Sequence, residues 1–101
     1  MKVLMVCSGG MSSAIVVKAI KKEADKQGYD IDIKAVGTSE FEAEIKNGYE
    51  MALIAPQVKY KFDVLKEQLG DLDIPMEIIV PMGYTPIGAP KVLEQIKKHV
   101  S

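Results

Sequence analysis

Two short runs constrain this chain more than anything else in it. VLMV, within residues 2–6, and MALIA, residues 51–55, are uninterrupted apolar stretches too short for a helix. A strand is apolar at every position when both its faces are covered, as happens in a parallel sheet between helices. Each run is closed by punctuation, CSGG after the first and Pro56 after the second. The chain is therefore expected to build its sheet around these two strands.

The intervening segments have helical spacing. In SSAIVVKAIKKEADKQG, Val16, Ile20 and Ala24 share a stripe opposite Lys18, Lys21, Lys22 and Asp25, with Ser12 or Ser13 as the N-cap and Gly28 as the stop. Ile31, Ile33 and Ala35 alternate with Asp30, Asp32 and Lys34, the pattern of a half-exposed edge strand. Ser39 and Glu42 have capping-box spacing ahead of a short helix carrying Phe41 and Ile45, which Asn47-Gly48 ends. Val58, Phe62, Leu65 and Leu69 predict a third helix closed by Gly70, and MEIIV at 76–80 predicts a fourth strand. The loop PMGYTPIGAP then leads to a last helix with Val92, Leu93, Ile96 and Val100 inward.

Strict alternation of strand and helix predicts an α/β fold with a parallel sheet and helices on both faces. The two apolar runs belong inside the sheet, and strand four, which follows Pro75 and carries Glu77, belongs at an edge. The expected architecture is a three-layer α/β/α arrangement with a four-stranded parallel sheet of order 2-1-3-4. In such a sheet the winding reverses between strands one and three, and ligands bind beyond their carboxyl ends. That crevice is lined by residues 7–12 and 56–60. A length of 101 residues with 48% hydrophobic content fits one domain over 1–101, with no linker, repeat or low-complexity segment.

Composition excludes several classes of function. A net charge of -1 gives no basic footprint for nucleic acid. No apolar run approaches the roughly 18 residues of a membrane span, and Met1 is followed by a charged residue and a short strand in place of a signal peptide. A cytoplasmic location without direct membrane insertion is expected. The one cysteine forms no internal disulfide, and the one histidine, His99, leaves no His/Cys set at metal-ligand spacing. No metal or organic cofactor is implied.

The single cysteine, Cys7, stands at the end of the first strand and the start of the glycine-rich bend. Three readings are open: a small buried hydrophobe, a redox or metal ligand, or a nucleophile facing a phosphate. Gly9 and Gly10 permit backbone angles that aim successive N–H groups into one concavity, and the positive end of the following helix adds to the same field. Such a cradle suits an anion and favours a thiolate able to attack phosphorus. Strand end, glycine loop, helix start and switch point together favour the nucleophile over a packed thiol.

Similar loops carry a cysteine in low-molecular-weight protein tyrosine phosphatases, whose fold this arrangement resembles, and in some arsenate reductases. There an Arg follows six residues after the Cys, where this chain has Ser13. No Lys or Arg lies between Cys7 and Lys18, so no guanidinium clamps the transferring group. A loop that holds phosphate through neutral amides suits a phosphoenzyme waiting for another acceptor. A phosphatase or arsenate reductase of this fold, or a redox-sensing module with Cys7 reversibly oxidised, are the alternatives.

The string CSGGMSSA after an apolar strand, with APQVKY at 55–60 after the third strand, resembles the IIB component of the bacterial phosphoenolpyruvate-dependent sugar phosphotransferase system, lactose/cellobiose type. The resemblance covers essentially the whole chain in length and element order. It implies that Cys7 takes a phosphoryl group from a histidine of a IIA protein and passes it to a sugar bound by a membrane IIC protein. Ser8, Gly9, Gly10, Met11, Ser12 and Ser13 then match the phosphate-binding loop by position. Met11-Ser12 is closer to the cellobiose and diacetylchitobiose branch than to the glycine-richer lactose branch, and a β-disaccharide such as cellobiose, chitobiose or lactose is implied as the sugar.

Gln57 and Tyr60 fall on the far side of the crevice, where they would bound the phosphate site or contact IIA. A solvated amide and a packed ring are the blander readings. Tyr84 and Thr85, after strand four, lie at the same edge and suit either partner docking or a plain loop. Met11 suits a docking surface or packing over the first helix. The lysines of the first helix read as a solvated face, and His99 as a last-turn residue favoured by the helix dipole.

Overall fold

The computed structural model describes residues 2–7, 12–79 and 88–98. Four parallel strands, β1 (Lys2–Cys7), β2 (Asp32–Gly37), β3 (Met51–Ile54) and β4 (Met76–Ile78), form one sheet in the order β2-β1-β3-β4. Val3 is in register with Ile33 on one side and Met51 on the other, and Val6 with Val36 and Ile54. The two apolar runs are thus the interior strands, and the alternating strand is an edge. From Val3 to Val6 the side chains of β1 divide by parity, as a pleated strand requires, whereas Cys7 joins the same core as Val6. Val3 and Met5 join the core under α1 (Ser12–Lys26) and α4 (Ala89–Lys97), with Val16, Ile20, Val92, Leu93 and Ile96. Leu4 and Val6 join a second core with Phe41 of α2 (Phe41–Glu44), Ile45, and Leu65 of α3 (Phe62–Gln68). Helices therefore cover both faces, giving the expected three layers.

The first helix ends as its sequence demands. The Tyr29 N–H reaches back to the Ala24 carbonyl at 2.8 Å across Gly28, whose φ of 71 suits a residue without Cβ. Its start at Ser12 makes the two candidate cap serines its first two residues, one and two positions past the cap.

Two local expectations are corrected. The Ser39/Glu42 capping box does not cap the helix: it begins at Phe41, the cap position is Glu40, and no side chain bonds the free N–H groups. A turn in which Glu40 N–H donates to the Gly37 carbonyl at 3.1 Å leads directly off β2 and brings Phe41 and Ile45 into full burial. Burying two large apolar side chains stabilises by about 1.5–3 kcal/mol each, which outweighs a cap of about 1 kcal/mol. The third helix is also not continuous. Pro56–Lys61 form a 3-10 segment, with Val58 at φ -118 and ψ 20, before α3 begins at Phe62. Pro56 lacks an N–H and opens the turn, and Val58 leaves helical geometry while buried to 2% exposure. Leu65 and Leu69 still face the core, whereas Phe62 is half-buried.

The β4 edge is short but closed by the last helix. The Ile79 N–H continues the pairing to the Ile54 carbonyl at 2.8 Å, and Gln95 Nε2 donates to the Ile78 carbonyl at 3.0 Å and to Glu77 Oε1 at 3.1 Å. Val80 and Val100 lie outside the described residues. Among the described residues no helix is long and apolar enough to cross a membrane.

Candidate functional site

Cys7 is the last residue of β1, in register with Gly37 of β2. The chain leaves β1 for β2 on one side and returns past β1 to β3 on the other, so the winding reverses between β1 and β3. That is where an open α/β sheet leaves a crevice beyond its carboxyl ends. A hydrogen bond from the Ala55 N–H to the Val6 carbonyl, at 2.8 Å, sets the start of the 3-10 segment beside the end of β1. The start of α1 follows Cys7 by five residues. The end of β2 and the start of the 3-10 segment therefore lie beside the thiol, with Val36 and Val58 in its core.

The thiol itself is buried, at 4% exposure, in the core shared with Val36, Phe41 and Val58. Its Sγ donates to the Val36 carbonyl oxygen at 3.5 Å. Sequence reasoning missed this partner, because a backbone carbonyl on a neighbouring strand leaves no mark in residue type. Glu40 was also missed: its Oε1 lies 3.5 Å from where a Cβ on Gly37 would stand, so a carboxylate flanks the residue paired with Cys7.

Of the other predicted residues, Ser12 and Ser13 open α1. Gln57 is exposed on the 3-10 segment, and Tyr60 is 75% exposed, so the reading of Tyr60 as a packed ring is corrected. Its neighbour Lys61 places Nζ 6.0 Å from the ring centroid. Val64 at 54% and Ile15 at 58% are also exposed, near the starts of α3 and α1. Ser8, Gly9, Gly10, Met11, Tyr84, Thr85 and His99 lie outside the described residues. Among the described residues, no three His, Cys, Asp or Glu side chains are grouped to hold a metal ion.

A denser polar cluster sits at the other end of the sheet. Tyr49 donates its hydroxyl to Glu44 Oε2 at 2.7 Å, and Lys34 Nζ is 3.3 Å from the same oxygen. Lys2 Nζ donates to the Asn47 carbonyl at 2.8 Å and lies 4.6 Å from the Tyr49 ring centroid. Burial, and then the Glu44 carboxylate, push the Tyr49 pKa up to about 12. The Tyr49 hydrogen bond, joined by Lys34, holds the Glu44 carboxyl below its ordinary value.

A family model described as "PTS system, Lactose/Cellobiose specific IIB subunit" matches residues 2–95. The chain belongs to this family. This IIB chain is 30% identical over 94 residues to the PTS system oligo-beta-mannoside-specific EIIB component of Bacillus subtilis, covering 93% of itself and 90% of that relative. It is 32% identical over 73 residues to the PTS system lactose-specific EIICB component of Staphylococcus epidermidis, where the match covers 71% of the chain but only 12% of that longer protein. Among solved structures it resembles the lactose-specific IIB component domain from Streptococcus pneumoniae, with a TM-score of 0.81, 23% identity and coverage of 100% and 98% of the two chains. It also resembles the cellobiose-specific IIB component of Borrelia burgdorferi, with a TM-score of 0.75, 29% identity and coverage of 98% and 90%. The order 2-1-3-4 with helices on both faces is the fold these IIB neighbours share with it.

Proposed function

We propose that this IIB chain, acting as one unit over residues 1–101 on the cytoplasmic side, carries phosphoryl groups on Cys7 from a IIA protein to a sugar held by a membrane IIC protein. The observation that carries the reading is the placement of the one cysteine at the carboxyl end of β1, at the sheet's switch point, in a chain of the IIB family.

In the first step the Cys7 sulfur attacks the phosphorus of a IIA phosphohistidine in line. The S–P bond forms as the P–N bond breaks, and the thiol proton ends on the imidazole. In the second, a sugar hydroxyl attacks the same phosphorus. The S–P bond breaks, and the hydroxyl proton returns the thiol. Backbone N–H groups of Ser8, Gly9, Gly10, Met11, Ser12 and Ser13 hold the equatorial oxygens, aided by the positive end of α1. Ser13 stands where a phosphatase of this fold has its Arg, so the intermediate persists instead of hydrolysing. Gln57, Tyr60 and Tyr84 form the rim that meets IIA and IIC in turn. The sugar is a β-linked disaccharide of the cellobiose, chitobiose or lactose kind, which the oligo-beta-mannoside, lactose and cellobiose relatives support.

Labelled phosphoryl transfer tests the reading. The isolated chain should accept label from phosphorylated IIA, keep it, and release it only when IIC and sugar are added. Turnover of an aryl phosphate or reduction of arsenate by the isolated chain, without acceptance from IIA, would contradict it.

A further inference from the structure

The sheet's two edges are finished differently. At the β4 edge, Gln95 of α4 donates to the Ile78 carbonyl at 3.0 Å and to Glu77 Oε1 at 3.1 Å, so a helix side chain occupies it. At the other edge, among the described residues, β2 has a strand on one side only. The Ala55 N–H bonds the Val6 carbonyl, so Val6 addresses β3, and alternation turns Val3 and Met5 toward β2. With Val3 in register with Ile33 and Met5 with Ala35, the β2 residues that answer them are Asp32, Lys34 and Val36. Ile33 and Ala35 thus direct their N–H and C=O groups out of the sheet.

An open edge is a template for a further strand, and the charges along it select which one. Like charges on β2 would repel a second copy, but Asp32 and Lys34, both exposed, carry opposite signs two residues apart. When two copies of β2 run antiparallel about Ile33, each Asp32 stands opposite Lys34 of the second copy. Ile33 then exchanges both its hydrogen bonds with its own counterpart. The flanking charged positions become non-hydrogen-bonded pairs, where side chains across an antiparallel ladder are closest. The Lys34 side chain is 58% exposed while its Nζ lies 3.3 Å from Glu44, which leaves its ammonium room for a second carboxylate. Apolar surface is covered by the same pairing. A groove of about 450 Å³ beside the edge is lined by Ala14 and Val17 of α1 and by Ile33 and Ala35 of β2. Lys18 and Lys21 also line it, with long stems that cover apolar surface while their ammonium groups stay in water.

We propose that β2 is a self-association edge, through which two chains pair antiparallel about Ile33 and join their sheets into one. A two-fold axis at Ile33 sets the groove of one copy against the groove of the other, the self-complementary contact of a closed dimer. This pairing stands on the edge and its charges and is independent of phosphoryl transfer.

Charge exchange followed by sedimentation velocity tests it. The chain should pass from monomer to dimer as its concentration rises toward millimolar, and the Ile33 and Ala35 amides should gain hydrogen-exchange protection in step. Asp32→Lys or Lys34→Asp alone should weaken dimerisation at least ~10-fold, because symmetry turns two attractive pairs into two repulsive ones. Circular dichroism and urea unfolding check that each variant is folded. Mixed in equal amounts, the two variants should dimerise again, since every charge then faces its opposite. A chain that stays monomeric at millimolar concentration would overturn the proposal, as would a dimer that neither variant weakens. Protection of the Ile33 and Ala35 amides only when IIA is added would also overturn it and assign the edge to another protein.

Discussion

The two ends of the sheet are built on opposite plans. At the amino end, Lys2, Lys34, Glu44, Asn47 and Tyr49 engage one another through two hydrogen bonds, an ion pair and a cation-ring contact. At the carboxyl end, Cys7 keeps one weak bond to a carbonyl, while Tyr60, Val64 and Ile15 stand exposed on the segments that follow β3 and β1 in the chain. Polar groups that bond one another in this way stabilise the fold. Large apolar side chains left in water contribute little to folding and are suited to partners. On the proposed function, the sparser end is the one to test.

The largest expected effect falls at the carboxyl end. Cys7→Ser should lower sugar phosphorylation in a reconstituted IIA, IIB and IIC system by ~1000-fold or more, since a hydroxyl is a far weaker nucleophile without an adjacent base, while urea denaturation shows the fold retained. Activity surviving in that variant would erase the contrast between the ends. Next, Tyr60→Ala should weaken association with IIA about tenfold, as expected for loss of an exposed aromatic anchor, yet shift stability by no more than ~0.5 kcal/mol. Titration calorimetry and denaturation of the same sample measure both numbers, and the contrast predicts that they separate.

Tyr49→Phe should do the reverse. It removes the hydroxyl bound to Glu44 and should cost about 1 kcal/mol in urea unfolding, with phosphoryl acceptance unchanged. A transfer defect would show that the amino end is not purely structural. The smallest effects are in pH dependence. The Tyr49 pKa is raised to about 12, so the folded state keeps its proton longer than the unfolded chain. Its contribution is complete below the unfolded value near 10 and is lost as pH rises through about 12, a decline that Tyr49→Phe should flatten. Glu44 is shifted down, so its contribution is present above the unfolded carboxyl value and is lost as pH falls through the folded one. Glu44→Gln should flatten the acid side of the stability profile.

Much of this architecture is legible in residue order. VLMV and MALIA require two-sided burial, DIDIKA alternates, and Pro75 with Glu77 marks strand four as an edge, all of which the observed order satisfies. Strand order then brings Cys7 to the switch point before any motif is consulted. Local signals were less faithful where burial competed with them. Ser39 and Glu42 have the spacing of a cap, but Phe41 and Ile45 decide where that helix starts. Val58 to Leu69 keeps helical spacing through its buried members, although Pro56 and Val58 bend its first turns out of the α-helix. The Val36 carbonyl beside Cys7 was illegible, because every residue has a carbonyl and only strand register decides which one meets the thiol.

The central claim is that Cys7 carries the phosphoryl group, and peptide mapping by mass spectrometry tests it most directly. After incubation with phosphoenolpyruvate, the general phosphotransferase proteins and IIA, the account predicts one phosphoryl group, acid-sensitive, on the peptide containing Cys7, and none on Cys7→Ser. A phosphoryl group on His99, or an unmodified chain beside fully phosphorylated IIA, would contradict it.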